Sequence, residues 1–145
     1  IATSRLAKQI QPLLKFYYNG DTPVYAISPI YAGTTNISRD RDLDGIEFCD
    51  IPWVLQKRGQ LQPSYLQSIQ QNIEQLWRTD YRRQPKLYAL GVDAFDLSLQ
   101  LNKMLLLPQL GTSAATGVLY LNKNHHIYRH LMWAKFKYGV ARLIH

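Results

Sequence analysis

The stretch "SRDRDLDGIEFCDI", residues 38–51, changes at Gly45 from a charged segment to an alternating one. The residues after Gly45 alternate apolar and polar side chains, which is typical of a strand with one buried face. Glycine adopts a positive φ at little steric cost, so the charged residues before it are predicted to form a turn. A short apolar run at 24–28 predicts a second strand, and residues 29–45 are then a loop between the two strands.

The charged part of this stretch also matches half of a calcium-binding motif. The sequence "DRDLDG", which begins at Asp40, fits the first six positions of an EF-hand loop. Such a loop needs a bidentate carboxylate at its twelfth position and a helix on each side. The twelfth residue is Ile51, which has no side-chain oxygen, and Pro29 and Gly33 lie where the preceding helix would be. We therefore expect no calcium site at this turn.

The N-terminal part of the chain predicts a parallel βαβ unit. Residues 1–2 have the character of a strand end, and Asn19–Gly20 is a helix stop before the strand at 24–28. Between them, apolar side chains recur at helical spacing at Leu6, Ile10, Leu13 and Leu14. A strand, a helix and a strand in fewer than about 30 residues are the components of a parallel sheet.

Two helices are predicted in the middle of the chain. Pro63 suits the first position of the first helix, and the polar stretch "RTDYRRQPK" at 78–86 then breaks the helical pattern. The second helix is predicted at 86–106. Apolar residues occupy much of its circumference, so we expect it to be well buried.

The last third of the chain predicts an antiparallel hairpin region. Residues 116–121 are a predicted strand, "NKNHH" is a turn, and residues 127–136 are a second strand. Tyr138–Gly139 is a second turn, before a strand at 140–144. Strands joined by such short turns pair antiparallel.

The charge of the chain raises the question of nucleic acid. The formal net charge is +7, but the basic residues are spread over many segments and give no helix a one-sided basic face. The aromatic and basic C-terminal segment could be a stacking platform for bases, or it could be the strands of an ordinary sheet with a basic solvent face. A nucleic-acid-binding module is therefore only a remote alternative, and we expect no nucleic-acid partner.

The sequence offers no recognisable set of catalytic or metal-binding residues. It has no G-x-S-x-G, P-loop or G-x-G-x-x-G motif. His126 and His130 could share a strand face, but a zinc site needs further ligands. Cys49 is the only cysteine, and its apolar neighbours favour a small buried side chain. We predict that the chain is not an enzyme and has no metal or cofactor.

Three segments in this order resemble the LppC family of bacterial lipoproteins. They are "VYAISPIYAGTTNISRDRDLDGIEFCDIPWVL" at 24–55, "YALGVDAFDLSLQL" at 88–101 and "TGVLYLNKNHHIYRHLMWAKFKYGVARLI" at 116–144. The most specific features are the P-x-Y after the first strand, the D-L-D-G-[IL]-x-F turn and strand, and the [DE]-I-P that follows. The resemblance extends over nearly the whole chain, and it makes the D-x-D-G turn a family feature ahead of a strand.

The resemblance implies an α/β fold with Rossmann-like parallel sheets, in a two-lobed domain similar to type I periplasmic binding proteins. Residues 1–145 would be a single partial domain, the later half of that C-terminal domain, with an antiparallel C-terminal hairpin region. Such proteins are non-catalytic activators of a peptidoglycan synthase, a class A penicillin-binding protein. They act at the periplasmic face of the outer membrane and are attached to it through a lipidated N-terminus, which this chain would lack.

The resemblance also suggests where ligands and partners would bind. Binding proteins of this fold hold small polar ligands in the cleft between lobes, at the carboxyl ends of strands. Ser28, Tyr31 and Asp93 are the candidates for such a cleft, which would make the chain a small-molecule-binding or sensing domain. The alternative is contact with the synthase through the loop at 29–45. There Tyr31 would be an aromatic anchor and Arg39 and Arg41 would be hydrogen-bond donors.

Overall fold

The computed structural model describes residues 4–18, 22–55 and 63–144. The chain forms two compact units, a first unit of Ile1–Asp50 with Met132–His145 and a second unit of Ile51–Leu131. The helices are α1 (Ser4–Tyr17), α2 (Ile37–Asp40), α3 (Pro52–Leu55), α4 (Ser64–Leu76), α5 (Arg78–Arg83) and α6 (Pro85–Leu106). The strands are β1 (Tyr25–Ala26), β2 (Glu47–Asp50), β3 (Thr112–Ala114), β4 (Gly117–Leu121), β5 (Ile127–His130), β6 (Met132–Lys137) and β7 (Val140–Leu143).

The first unit is built on a four-stranded sheet in the order β1-β2-β6-β7. Strand β1 pairs parallel with β2, whereas β2 with β6 and β6 with β7 are antiparallel. Side chains alternate along β2, so Phe48 is buried and Glu47 lies on the partly exposed face of the sheet. The rings of Phe48 and Phe136 stack with centroids 4.8 Å apart, and Leu43 and Ile46 are buried in the same unit. The alternating sequence after Gly45 thus supplies the core of this sheet.

The second unit combines the helices α3–α6 with an antiparallel sheet in the order β3-β4-β5. One core cluster comprises Ile51, Trp53, Leu66, Tyr81, Ala89 and Ala115. A second cluster comprises Met104, Ala114, Leu119 and Leu121. Both clusters join α6 to the residues of the sheet, so the inner face of the long helix is the centre of this unit.

Several predicted elements are confirmed. The strand after Gly45 is β2, the long helix is α6, and the strand predicted at 24–28 contains β1, which pairs parallel with β2. Among the described strands this is the only parallel pair, and every other pairing is antiparallel. The predicted strand end at residues 1–2 and the helix stop at Asn19–Gly20 lie outside the described residues.

Four predictions need correction. The loop at 29–45 contains α2 and two 3-10 turns, and the polar stretch after α4 forms α5 because Tyr81 gives it a buried anchor. The single strand predicted at 127–136 is two strands, since β5 pairs with β4 whereas β6 pairs with β2. Burial of α6 was overestimated, because only the face with Ala89, Asp93 and Met104 packs inward.

The assignment of residues 1–145 to a single partial domain stays a prediction. Within the described residues, no helix combines the length and apolar character that crossing a membrane would require.

Candidate functional site

Ser28 lies at the carboxyl end of the parallel pair. It begins a 3-10 turn directly after β1, and its hydroxyl donates a hydrogen bond of 2.8 Å to Oδ1 of Asp50, the last residue of β2. Asp50 is fully buried and Ser28 is half-buried. Ligands of open α/β sheets bind beyond the carboxyl ends of parallel strands, and a cleft role for Ser28 at this position stays a prediction. Asp50 was not among the predicted site residues, because it ends a strand and its partner Ser28 lies 22 residues away.

Tyr31 is part of the core of the first unit. Its side chain is 5% exposed, and its ring centroid lies 5.9 Å from that of Phe48 and 5.9 Å from that of Phe136. Its hydroxyl is 3.2 Å from Oγ1 of Thr35. The prediction that Tyr31 presents an exposed aromatic anchor, or a free cleft hydroxyl, therefore needs correction. The apolar interior formed by the phenylalanines holds this ring, and nothing in the loop sequence indicated that packing.

Burial raises the pKa of Tyr31 above its usual value, and the carboxylates of Asp40 and Asp50 add to this rise. A raised pKa means that the folded state prefers the neutral phenol. We therefore expect a stabilising contribution that is fully present below about pH 10, the usual tyrosine pKa, and is lost as the pH rises further. Urea unfolding of the native protein and of Tyr31→Phe at pH 8, 10 and 11 would measure it. Parallel losses of stability in both proteins would contradict this expectation.

Arg39 and Arg41 are displayed by an ordered segment. The side chain of Asn36 caps α2 by accepting a hydrogen bond of 3.2 Å from the backbone N–H of Arg39. At the end of α2, Asp40 forms an ion pair of 3.0 Å with Lys8 and accepts a hydrogen bond from the backbone N–H of Asn36. Both arginine side chains are exposed. The segment therefore holds two guanidinium groups on a fixed backbone, as a protein-contact surface requires.

The carboxylates of the D-x-D-G turn bind groups of the protein itself. Asp44 accepts hydrogen bonds of 3.0 and 2.8 Å from the backbone N–H groups of Tyr138 and Gly139, in the turn between β6 and β7. Asp40 is held by Lys8. These contacts give the acidic residues a structural role, and the absence of a calcium site stays a prediction. The partners of Asp44 lie more than 90 residues away, so no local sequence pattern indicates this role.

Asp93 lies on the inner face of α6 and is 2% exposed. Its carboxylate accepts hydrogen bonds of 2.7 and 2.8 Å from the backbone N–H groups of Ala115 and Thr116, and a third, short one from the Thr116 hydroxyl. The carboxylate thus fixes the turn between β3 and β4. The prediction that Asp93 faces a cleft needs correction, because three donors of the turn surround this carboxylate in the interior.

Metal ligands do not gather in the part of the chain that the structure describes. Among residues 4–18, 22–55 and 63–144, no three His, Cys, Asp or Glu side chains come together as a possible metal site. The ring of His130 instead lies 5.0 Å from that of Tyr120, which stacks on Tyr128. The structure leaves Arg39 and Arg41 exposed on one short segment and places Ser28 beside Asp50.

Solved structures with a similar arrangement show the fold class of this chain. Full-length LpoA from Haemophilus influenzae is 24% identical with a TM-score of 0.74, and the alignment covers 99% of this chain and 25% of that chain. The LpoA C-domain from the same organism gives a TM-score of 0.69, and the alignment covers 42% of that chain. A putative branched-chain amino acid ABC transporter from Chromobacterium violaceum gives 0.57 at 22% identity, covering 92% of this chain and 40% of that chain. The chain has the predicted α/β fold of a type I periplasmic-binding-protein-like domain, with an antiparallel C-terminal hairpin region.

The family follows from the sequence comparisons. The family model described as LppC putative lipoprotein matches residues 1–139, and the chain belongs to this family. Penicillin-binding protein activator LpoA from Serratia proteamaculans is 30% identical over 143 residues, covering 97% of this chain and 20% of that relative. The protein of the same name from Vibrio cholerae is 26% identical over 135 residues, covering 93% of this chain and 21% of that relative. The chain therefore spans about a fifth of the length of these curated relatives, and it matches their C-terminal part.

Proposed function

We propose that this chain is part of a non-catalytic regulator that activates a class A penicillin-binding protein in peptidoglycan synthesis. The observation that carries the proposal is the family match over residues 1–139. Relatives in this family are named penicillin-binding protein activators, and the solved C-domain from Haemophilus influenzae is described as a regulator of PBP1A. The regulator would work at the periplasmic face of the outer membrane, attached by a lipidated N-terminus outside this chain.

The hydrogen bonds that three carboxylates make within the fold support a regulator that acts by contact. Asp44 and Asp93 each accept backbone N–H groups of a tight turn, and Asp50 accepts the hydroxyl of Ser28. A general acid or base must reach a proton on the substrate, within about 3 Å or through one water. Carboxylates committed to turns of their own fold are better suited to fixing a rigid surface than to proton transfer.

We infer that this surface includes Arg39 and Arg41. Arginine is enriched among the residues that dominate protein interfaces, and its guanidinium pairs bidentately with carboxylates. Both side chains are exposed, on a segment that Asn36 and the Lys8–Asp40 ion pair hold in place. Little ordering entropy would be lost when such a preorganised segment binds a partner.

The test replaces both arginines in the full-length protein that contains this chain. We expect Arg39→Ala with Arg41→Ala to weaken binding of the cognate synthase by about tenfold or more and to reduce stimulated glycan synthesis, since each hot-spot truncation costs more than about 1 kcal/mol. Affinity and synthesis rate are the measurements. A matched control, Arg82→Ala with Lys123→Ala, removes the same charge from exposed positions of the second unit and should leave both unchanged. Equal binding by both double variants would exclude this surface, and absence of stimulation by the native protein would refute the proposed function.

Small-molecule binding is the second candidate function. The Ser28–Asp50 pair favours it, because this polar pair lies at the carboxyl end of the parallel strands. A saturable thermal shift with amino acids or peptidoglycan fragments, lost in Ser28→Ala, would support a sensing role. The arginine variants would not affect that shift.

A further inference from the structure

The antiparallel sheet of the second unit turns aromatic side chains away from its core. Leu119 and Leu121 of β4 pack with Met104 of α6 in the second core cluster. Side chains alternate along a strand, so Tyr120 lies on the opposite face of the sheet. Tyr128 of β5 is the direct cross-strand partner of Tyr120 and therefore lies on the same face. This outer face thus carries a pair of tyrosines, while the inner face carries the aliphatic core.

The aromatic side chains of the outer face form an ordered row. The ring centroids of Tyr120 and Tyr128 are 5.5 Å apart, and the two ring planes are inclined by 15°. His130 lies two residues beyond Tyr128 on the same face, and its ring centroid is 5.0 Å from that of Tyr120. Tyr128 is 49% exposed, and His130 is also exposed. The row therefore offers solvent a flat apolar surface with polar groups at its rim.

Gly111 fixes the position of the Tyr120 ring. A Cβ placed at Gly111 would lie 2.5 Å from Cζ and 2.7 Å from Cε1 of Tyr120. The ring therefore occupies space that the side chain of another residue at position 111 would need. A ring that is already held loses little further freedom when a ligand binds to it. The aromatic row is thus prepared for binding by the backbone beneath it.

The polar groups of the outer face distinguish it from a face that is covered in a domain core. Ser113 of β3 lies opposite Val118, which in turn lies opposite His130, so a hydroxyl and an imidazole share the face with the tyrosines. Ser113 and His130 are both exposed. Burying such groups without hydrogen-bond partners costs free energy. We therefore expect this face to stay in contact with solvent in the full-length protein.

The charge of this part of the chain is positive. None of the ten Asp and Glu residues lies after Asp96, whereas six of the 17 Lys and Arg residues do. In the β4–β5 hairpin, residues 117–130, the cations Lys123 and Arg129 are exposed. The turn of the hairpin is ordered, because the side chain of Asn122 accepts a hydrogen bond of 2.9 Å from the backbone N–H of His126. An excess of one charge attracts partners of the opposite charge, so the hairpin suits a polyanion.

The side chains of the face favour a glycan among the polyanions. A sugar ring presents C–H groups on its faces and hydroxyl groups at its edge, so it matches a tyrosine ring flanked by the hydroxyl of Ser113. Nucleic-acid bases also stack on aromatic rings, but most contacts to nucleic acid are made to phosphates by rows of cations. Here Arg129 pairs with Leu119 and so projects toward the other face of the sheet. Sparse positive charge beside rings and hydroxyls fits a sugar polymer with widely spaced carboxylates.

We propose that the outer face of the β3-β4-β5 sheet, with Tyr120 and Tyr128 at its centre, binds the glycan strands of peptidoglycan. Sugar rings stack on the tyrosines, and the carboxylates of the stem peptides are attracted by the positive hairpin. The identity of the glycan rests on the proposed function, because a regulator of peptidoglycan synthesis works beside this polymer. Arg39 and Arg41, which we infer to contact the synthase, take no part in this binding.

The first test measures binding of the full-length protein to isolated peptidoglycan sacculi by co-sedimentation. We expect saturable binding by the native protein, and binding weaker by about fivefold or more in Tyr128→Ala, which removes one stacking ring. Tyr128→Phe keeps the ring and should bind like the native protein. The matched control is Ile127→Ala, since Ile127 is the exposed neighbour whose side chain lies on the other face, and it should also bind normally. No saturable binding by the native protein, or equal binding by Tyr128→Ala, would overturn the proposal.

The second test asks whether Gly111 acts by positioning Tyr120. Gly111→Ala displaces the ring without removing it, and we expect weaker binding to sacculi. If Gly111 acts through this ring, adding Gly111→Ala to Tyr120→Ala should weaken binding no further. A full additional loss in the double variant would indicate general damage and would overturn the positioning role, as would native affinity in Gly111→Ala.

The third test identifies the polymer. Sacculi with amidated carboxyl groups should bind more weakly than untreated ones, and binding to untreated sacculi should weaken as the salt concentration rises, because salt screens the attraction of charges. Equal binding to amidated sacculi would overturn the assignment to an anionic glycan. Tighter binding of single-stranded DNA, lost in Tyr128→Ala, would overturn it in favour of a base-stacking platform.

Stimulation of the synthase, measured on the same proteins, separates this proposal from the proposed function. Tyr128→Ala should stimulate glycan synthesis as the native protein does, because the tyrosine contacts the polymer and not the synthase. Loss of stimulation in Tyr128→Ala would overturn this separation of the two surfaces. Stimulation by a native protein that does not bind sacculi would refute the glycan site alone, whereas sacculus binding without stimulation would refute the proposed function.

Discussion

Asp93→Ala is expected to be the most damaging single substitution in this chain. The carboxylate is in the interior and accepts the backbone N–H groups of Ala115 and Thr116 together with the Thr116 hydroxyl. Removing it leaves buried donors without an acceptor, and each such group costs about 1–3 kcal/mol. We therefore expect a loss of about 3–5 kcal/mol in the free energy of unfolding. Urea unfolding measures the loss, and amide hydrogen exchange at residues 112–121 should show it locally.

Two further substitutions separate the hydrogen bonds of Asp93 from general effects on α6. Asp93→Asn keeps one acceptor oxygen but turns an amide N–H group toward a donor of the turn, so we expect an intermediate loss. Asp96→Ala removes a carboxylate from the same helix, where it accepts an exposed hydrogen bond of 3.2 Å from the Tyr65 hydroxyl. That change should cost less than about 1 kcal/mol. Comparable losses for Asp93→Ala and Asp96→Ala would show that Asp93 does not hold the turn.

Gly139→Ala is expected to be the second large effect. Gly139 follows Tyr138 in the turn between β6 and β7. The backbone φ is 70° at Gly139 and 55° at Tyr138. A Cβ on Gly139 would lie 2.4 Å from the carbonyl oxygen of Ile37 and 3.0 Å from its Cα. Because those atoms are backbone, the chain itself must move. We expect a loss of about 3 kcal/mol from the positive φ and the overlap together.

Gly45→Ala is the matched control for this prediction. Gly45 has a φ of 94°, but its Cβ would lie at an ordinary 3.6 Å from Nε2 of Gln11. The backbone strain is then present without the overlap, and we expect a loss of about 1–2 kcal/mol. Urea unfolding measures the loss of unfolding free energy in each variant. The difference between the two losses is the steric part of the Gly139→Ala effect. A loss for Gly139→Ala no larger than that for Gly45→Ala would contradict the close approach to Ile37.

Periodicity predicted the elements whose pattern is local. The helix predicted at 86–106 is α6, and the alternation after Gly45 is β2, because burial on one face imposes a repeat of 3.6 or 2 residues on the sequence itself. The parallel pairing of β1 with β2 was not among the predictions, since the predicted βαβ unit joined residues 1–2 to the strand at 24–28. The split between β5 and β6 was not predictable in this way, since their partners, β4 and β2, are set by tertiary pairing.

The polar residues of the candidate site were only partly predictable. Residue type and loop position selected Arg39 and Arg41, and both are exposed as the contact hypothesis requires. The same reasoning selected Tyr31 and Asp93, which the structure places in the interior. Their burial depends on Phe136 and Thr116, which lie 105 and 23 positions further along the chain, and single-sequence patterns do not reveal such distant pairings.

The bond between Asp44 and the turn at Tyr138–Gly139 has a consequence for the order in which the protein is made. The ribosome releases residues 51–131 before residues 132–145, so the second unit has all its described strands while the first unit still lacks β6 and β7. Until residues 132–139 emerge, β2 has one open edge and Asp44 lacks the amides of Tyr138 and Gly139. Domains generally fold as units during synthesis, N-terminal ones first. Here the first unit must instead wait for β6 and β7, which are made after the whole of the second unit.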